Sequence, residues 1–200
     1  TKSVGNPIVS GATGLQIIDY KYNIRGWLTD INNVDNLTQN YDPQDLFAFQ
    51  INYNKDLTGN VSGVKKLYNG NIAETFWRTS SDNRLRKYSY EYDQLNRLLH
   101  AVYQKPGTTA PNSYREKLNY DRNANITSLI RNGGLDHEQS LFVLEIDNLV
   151  YNYSANSNKL IAVTDNSLSS EGFYDGNTSG VDFTYDVNGI CCDLFAMQLF

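Results

Sequence analysis

Apolar and polar residues alternate one by one over much of this chain. Tyr88, Tyr90 and Tyr92 fall on one phase, with Ser89, Glu91 and Asp93 on the other. Leu118 and Tyr120 alternate in the same way with Asn119 and Asp121, as Phe183 and Tyr185 do with Thr184 and Asp186. Further upstream, Phe47, Phe49, Ile51 and Tyr53 alternate with Ala48, Gln50 and Asn52. A period of two describes a strand with one buried face. The rings are therefore expected on that face, packed between hairpins with their hydroxyls at the edge of the layer. Residues 141–153 are apolar on both phases, which predicts a strand covered on both sides, with a helix as the alternative.

Tight turns separate these strands, and a tyrosine heads each of them. The units are Tyr22-Asn23-Ile24-Arg25-Gly26, Tyr92-Asp93-Gln94-Leu95-Asn96, Tyr120-Asp121-Arg122-Asn123-Ala124, Tyr153-Ser154-Ala155-Asn156-Ser157 and Tyr185-Asp186-Val187-Asn188-Gly189. From Tyr92 onward their starts lie 28, 33 and 32 residues apart. Four residues past the tyrosine stands Gly26, Asn96, Ala124, Ser157 or Gly189. A short hairpin loop needs a left-handed residue near its end, which Gly and Asn accept cheaply. Asn69-Gly70 predicts a shorter, two-residue hairpin. Apolar strands return at 98–103, 126–130 and 160–163. Longer loops are expected at 105–112, 131–139 and 165–180.

Repeats of this period mean stacked supersecondary units sharing one continuous core. The predicted fold is all-β, with stacked antiparallel hairpins forming part of a curved or spiral sheet. Residues 1–19 make a lead-in, 20–189 the array, and 190–200 a non-repeat tail. That tail holds Cys191, Cys192 and the single Met197, a composition foreign to the rest. A frameshifted or truncated end and an ordinary closing strand both fit it.

Composition agrees with strands and turns. There are 25 Asn, 15 Tyr and 14 Gly against 4 Pro; Tyr favours strands, and Asn and Gly favour turns. The net charge of −5 argues against nucleic acid, which needs clustered cations. Lys65-Lys66 and Arg84, Arg86 and Lys87 are expected on solvated strand edges. No apolar run approaches the roughly 18 residues of a membrane helix, so no membrane span is expected. The chain opens at Thr1 without a charged-then-apolar leader, and we expect it to be a fragment of a larger protein with no signal peptide of its own.

The units resemble the tyrosine-aspartate (YD) repeats of the Rhs family, whose pattern is Tyr-Asp-x-x-Gly-Arg-Leu. The match is closest at Tyr92-Asp93…Asn96-Arg97-Leu98, good at Tyr120-Asp121…Asn125-Ile126, and partial at Tyr22, Gly26, Tyr153, Tyr185, Asp186 and Gly189. The resemblance implies a β-sheet wound into a hollow shell around a C-terminal toxin domain. Its partners would be the rest of the shell and that toxin, in a secreted or cell-surface bacterial protein. The Arg-Asp-Pro element that closes such shells does not occur in this sequence.

Catalytic chemistry is thin. His100 and His137 have no partner at metal-ligand spacing, no Gly-x-Ser-x-Gly elbow occurs, and Gly11-Ala12-Thr13-Gly14 lacks the lysine of a phosphate loop. Asp175, Asn177, Ser179 and Asp186 follow calcium-loop spacing, but Glu is absent at the last position and no helices flank them. An ordinary loop is the expected reading there. Five Asn-x-Ser/Thr sequons, starting at Asn36, Asn60, Asn125, Asn152 and Asn177, are no more than such an Asn-rich chain should contain by chance. No enzyme activity and no cofactor are expected. The expected role is structural, with a carbohydrate-binding adhesion module as the alternative, in which Trp27 or Trp77 would stack on sugar rings.

Overall fold

A computed structural model describes residues 2–4, 15–39, 43–55, 65–105, 112–133, 143–176, 180–194 and 197–198. The described secondary structure is β-strand alone. In chain order the strands are β1 Lys2–Val4, β2 Gln16–Ile18, β3 Tyr20–Tyr22, β4 Leu28–Ile31, β5 Phe47–Asn52, β6 Glu74–Thr79, β7 Arg86–Tyr92 and β8 Leu98–Gln104. They continue with β9 Glu116–Tyr120, β10 Ile126–Gly133, β11 Leu144–Tyr153, β12 Leu160–Asp165, β13 Tyr174–Asp175, β14 Phe183–Tyr185, β15 Cys191–Leu194 and β16 Met197–Gln198. Strands β3 to β12 form one ten-stranded sheet in strict sequence order. The pairings described within it are antiparallel, so the all-β stacked-hairpin architecture holds. Residues 144–153 are strand, not helix.

The chain divides into two compact units, Thr1–Glu91 with Tyr103–Thr108 and Tyr92–Val102 with Thr109–Phe200. In the first, the buried side of the sheet is the reverse of the one that alternation predicts. Ala48, Glu74, Phe76, Lys87 and Ser89 are each at most 5% exposed, whereas Phe47 is exposed and Phe49, Tyr88 and Tyr90 are half-buried. Val34 and Leu37, from the segment before β5, pack with Ala48, Phe76 and Leu85 and close that side. Nothing in the strands themselves announces this cover. The basic run is corrected with it: Lys87 is not solvated but meets Glu74 at 3.5 Å, both side chains being essentially inaccessible. The rings left half-open pack on one another instead, Trp77 on Tyr88 at 5.8 Å and Tyr88 on Tyr90 at 6.0 Å.

In the second unit the alternation is followed only in part: Leu118 and Tyr120 are half-buried against an exposed Asn119, while Phe183 and Tyr185 are no more covered than Thr184 and Asp186. Leu118, Leu129 and Leu149 lie opposite one another across β9, β10 and β11, and Leu149 and Val163 are buried. Strand β11 has one closed face rather than two, because Asp147 and Leu149 are buried while Ile146, Asn148 and Val150 are only half so. Asn69-Gly70 also differs from expectation. Gly70 is left-handed but Asn69 is not, and no strand flanks the turn. A type I′ hairpin needs both residues left-handed. Here the turn folds over Trp27, with a Cβ on Gly70 falling 3.2 Å from that ring.

The tyrosine-led turns share one geometry. The left-handed residues are Gly26, Asn96, Ala124 and Gly189, all at the expected place. The fourth unit is the exception, with Asn156 left-handed instead of Ser157. Its loop is one residue longer, closing from Ser154 to Lys159, where the others close over four residues as Asp93 does to Arg97. Ala124 holds φ of 70° in this position, a conformation that costs an alanine but not a glycine. Ala124→Gly is accordingly expected to raise stability by up to about 1 kcal/mol, read as a higher Tm; a lower Tm would argue that the turn is held differently in solution.

Candidate functional site

The sequence motif is built around the residue after the tyrosine. Asp93 Oδ1 accepts the backbone N–H of Leu95 and Arg97 at 2.8 and 2.9 Å. Asp121 does the same for Asn123 and Asn125, each at 2.8 Å, and Asp186 for Asn188 and Ile190 at 2.9 and 2.7 Å. In the first unit Asn23 takes this role toward Arg25 and Trp27. An Asp or Asn side chain that mimics a backbone turn in this way fixes the loop before any neighbour packs on it. The Asp93 and Asp121 carboxyls are held below the usual carboxylate value, first by the backbone of Arg97 for Asp93 and by the side chain of Asn125 for Asp121.

The tyrosine then ties one unit to the one before it. The Tyr120 hydroxyl donates to the carbonyl of Leu98 at 2.8 Å, Tyr153 to Ile126 at 2.9 Å, and Tyr185 to Leu160 at 2.9 Å. Each acceptor opens the returning strand of the preceding hairpin. Tyr53 closes the same contact to Leu28 at 3.1 Å, so it is a fourth rung that the motif missed, because Tyr53-Asn54-Lys55 carries neither Asp nor Gly. Cations cover the rings: Arg97 stands 4.5 Å over Tyr120 and Lys159 5.2 Å over Tyr185. Arg97 also donates to Asp93 Oδ2 at 2.6 Å and to the Asp121 carbonyl at 3.0 Å, joining two successive turns. Asn125 bridges in the same manner from Asp121 to Asn158.

Burial pushes the rung tyrosines Tyr120 and Tyr153, and Tyr151 beside Tyr153 on β11, above the usual tyrosine value of 10.0. The Arg97 charge pulls Tyr120 partly back. A raised folded value means the unfolded chain ionises first. The stability contributed by these groups is therefore complete below pH 10.0 and is lost as pH rises through the higher folded values. A phenolate cannot donate to a carbonyl, so unfolding followed by circular dichroism should coincide with phenolate absorbance above that pH. Tyrosines that ionise freely with the fold intact would contradict the ladder.

The remaining candidates are dispersed. Tyr22 is 60% exposed on β3. His100 lies half-buried on β8, opposite Lys117. Gly11–Gly14, His137, Asn177 and Ser179 lie outside the described residues. Asp186, the fourth member of the calcium spacing, spends its Oδ1 on its own turn. Among the described residues no group of three or more His, Cys, Asp or Glu is placed to hold a metal ion, and no helix is long and apolar enough to cross a membrane. A cleft of about 370 Å³ opens beside Trp27, Tyr53 and Tyr68. Its tryptophan is already engaged, by the Tyr53 ring at 5.2 Å, the Arg25 guanidinium at 5.1 Å and Gly70.

No protein-family model matches the chain, and no curated protein matches it.

Proposed function

We propose that this chain is a wall segment of a larger β-repeat shell, and that its work is to enclose rather than to catalyse. The observation that carries the proposal is the hydroxyl ladder. Four tyrosines make the same bond to the same place in the preceding hairpin, and an Asx turn on Asn23, Asp93, Asp121 and Asp186 presets four of the loops. Such a unit adds to its neighbour by a fixed rule, which suits a wall of any length. The cargo follows from the likeness to Rhs repeats: a toxin domain inside a secreted or cell-surface protein, kept from its targets until delivery.

A carbohydrate-binding role has less support, because Trp27 is covered by its own neighbours and Trp77 stacks on Tyr88 and Tyr103. The test is protease treatment of the protein taken intact from its source. A wall should resist cleavage while shielding a second domain that becomes cleavable once the wall is denatured. A glycan array bound by the native chain and not by Trp27→Ala would favour adhesion and overturn our reading.

A further inference from the structure

Three side chains on the closed face of the first unit form a group in which the hydroxyl ladder has no part. Asn52 on β5 lies directly opposite Glu74 on β6. Lys87 on β7 approaches from the far side, two residues from Ser89, which pairs with Glu74. The Lys87 ammonium stands 3.5 Å from Glu74 Oε1, and Asn52 Nδ2 donates to Glu74 Oε2 at 3.3 Å. One carboxylate therefore sits between an amine and a carboxamide. All three residues are at most 5% exposed, and the Phe76 ring lies 5.9 Å from the ammonium. An amine, a carboxamide and a proton carrier are thus brought together in a place that water does not reach.

We infer that this group is the site of a covalent bond the chain makes in itself, an amide joining Lys87 Nζ to Asn52 Cγ, with Glu74 carrying the protons. A lysine is a nucleophile only as the neutral amine, and an apolar site beside a base favours that form. Keeping two charges buried is costly; passing one ammonium proton to Glu74 Oε1 turns them into two neutral groups. The amine then attacks Asn52 Cγ, the flexible lysine stem supplying the movement. Glu74 protonates the departing Nδ2, which already donates to its Oε2. The Nζ–Cγ bond forms, the Cγ–Nδ2 bond breaks, and ammonia leaves. Of the three ammonium protons, one stays on the new amide nitrogen, one leaves on ammonia and one remains on Glu74. No metal, oxidant or second substrate enters, and exclusion of water protects the product from hydrolysis. The product ties β5 to β7 across β6, so these three strands cannot be peeled apart one at a time. It constrains the unfolded chain as a disulfide does, without depending on redox conditions. The ion pair is the state before reaction, and the effects of charge burial at Lys87 belong to that state. The inference needs neither the ladder nor the wall, since no rung involves these residues.

Mass spectrometry of the whole wild-type chain, kept folded at neutral pH for several days, tests it. The intact mass should fall by one ammonia, and after proteolysis the peptides holding Asn52 and Lys87 should appear joined. Trypsin should no longer cut after Lys87. Cyclisation at an Asn-Gly pair also releases ammonia but leaves those two peptides separate, so the joined peptide is the deciding observation. Glu74→Gln keeps the size of the site but cannot carry the proton, and its cross-linking should be slower by roughly a hundredfold or more. Lys87→Met should yield no joined peptide. Wild type that is folded by circular dichroism and gives only separate peptides overturns the inference, whether or not either variant folds. A folded Glu74→Gln that links as fast as wild type overturns it as well.

Discussion

Lys87→Met is expected to lower the stability of this protein by about 3–5 kcal/mol, more than any single surface change. The lysine ammonium lies 3.5 Å from Glu74 Oε1, with side-chain exposures of 1% and 0%. The other carboxylate oxygen accepts from Asn52 Nδ2 at 3.3 Å, and the ammonium stands 5.9 Å from the Phe76 ring centre. Methionine fills much the same space but removes the cation, leaving a carboxylate in a site where water does not reach it. A folded domain holds only about 5–15 kcal/mol in reserve, so such a loss should be visible as a large shift of the denaturation midpoint. The double variant Glu74→Leu, Lys87→Met should recover most of it, since apolar replacement of a complete buried pair is close to neutral. Urea titration of wild type, both single variants and the double variant measures the coupling. A single-variant loss under about 1 kcal/mol, the size of an exposed pair, would mean the site is wet.

That pair also shows where the sequence stops being informative. The alternation at 86–92 fixes a strand, and it is one. Which face of the strand is closed depends on Val34 and Leu37, some fifty residues upstream, and on no property of the strand itself. Reading the aromatic phase as buried fails where Lys87 and Ser89 meet the closed side, and in the row of Leu118, Leu129 and Leu149 only Leu149 is buried. The turns were legible because their cause is local. Asp or Asn after the tyrosine captures two backbone N–H groups within four residues, and the left-handed residue that follows is limited to a few types. Ser154 cannot do this as an Asp does, and there the placement slipped by one residue, to Asn156.

The rungs themselves were not legible at all. They join tyrosines to carbonyls 22 to 27 residues away, and a carbonyl carries no sequence identity. Only spacing could have found Tyr53, which follows Tyr22 at an interval like those of the later units. The cation that covers a ring has a signature of its own, since Arg97 over Tyr120 and Lys159 over Tyr185 each lie five or six residues past the tyrosine of the preceding unit.

Gly172→Ala is the second large effect, and its cause lies in another buried charge. Asp147 is wholly inaccessible on β11. Its Oδ2 takes the Arg131 guanidinium and its Oδ1 the backbone N–H of Phe173 at 2.6 Å, so the segment at 171–173 is strapped down onto the sheet by a carboxylate. Gly172 has φ of 91° there, and a Cβ would collide with the Asp147 carboxylate and lie 2.8 Å from the Ile146 carbonyl oxygen. A backbone oxygen cannot swing aside as a long side chain could, so the strap must lift and leave the Asp147 carboxylate short of a donor. The expected loss is about 2–4 kcal/mol, combining the left-handed penalty with overpacking. Gly26→Ala is the control: φ there is 77° with nothing within 4 Å of the added carbon, and Ala124 already occupies the matching place in another unit. It should cost no more than about 1 kcal/mol. Thermal melts of the two variants therefore separate backbone strain from collision, and equal losses would show that the strap is not seated on Asp147. Since Asp147 and Tyr153 share one strand, a lifted strap should also weaken the Tyr153 rung, bringing alkaline unfolding to a lower pH in Gly172→Ala than in Gly26→Ala.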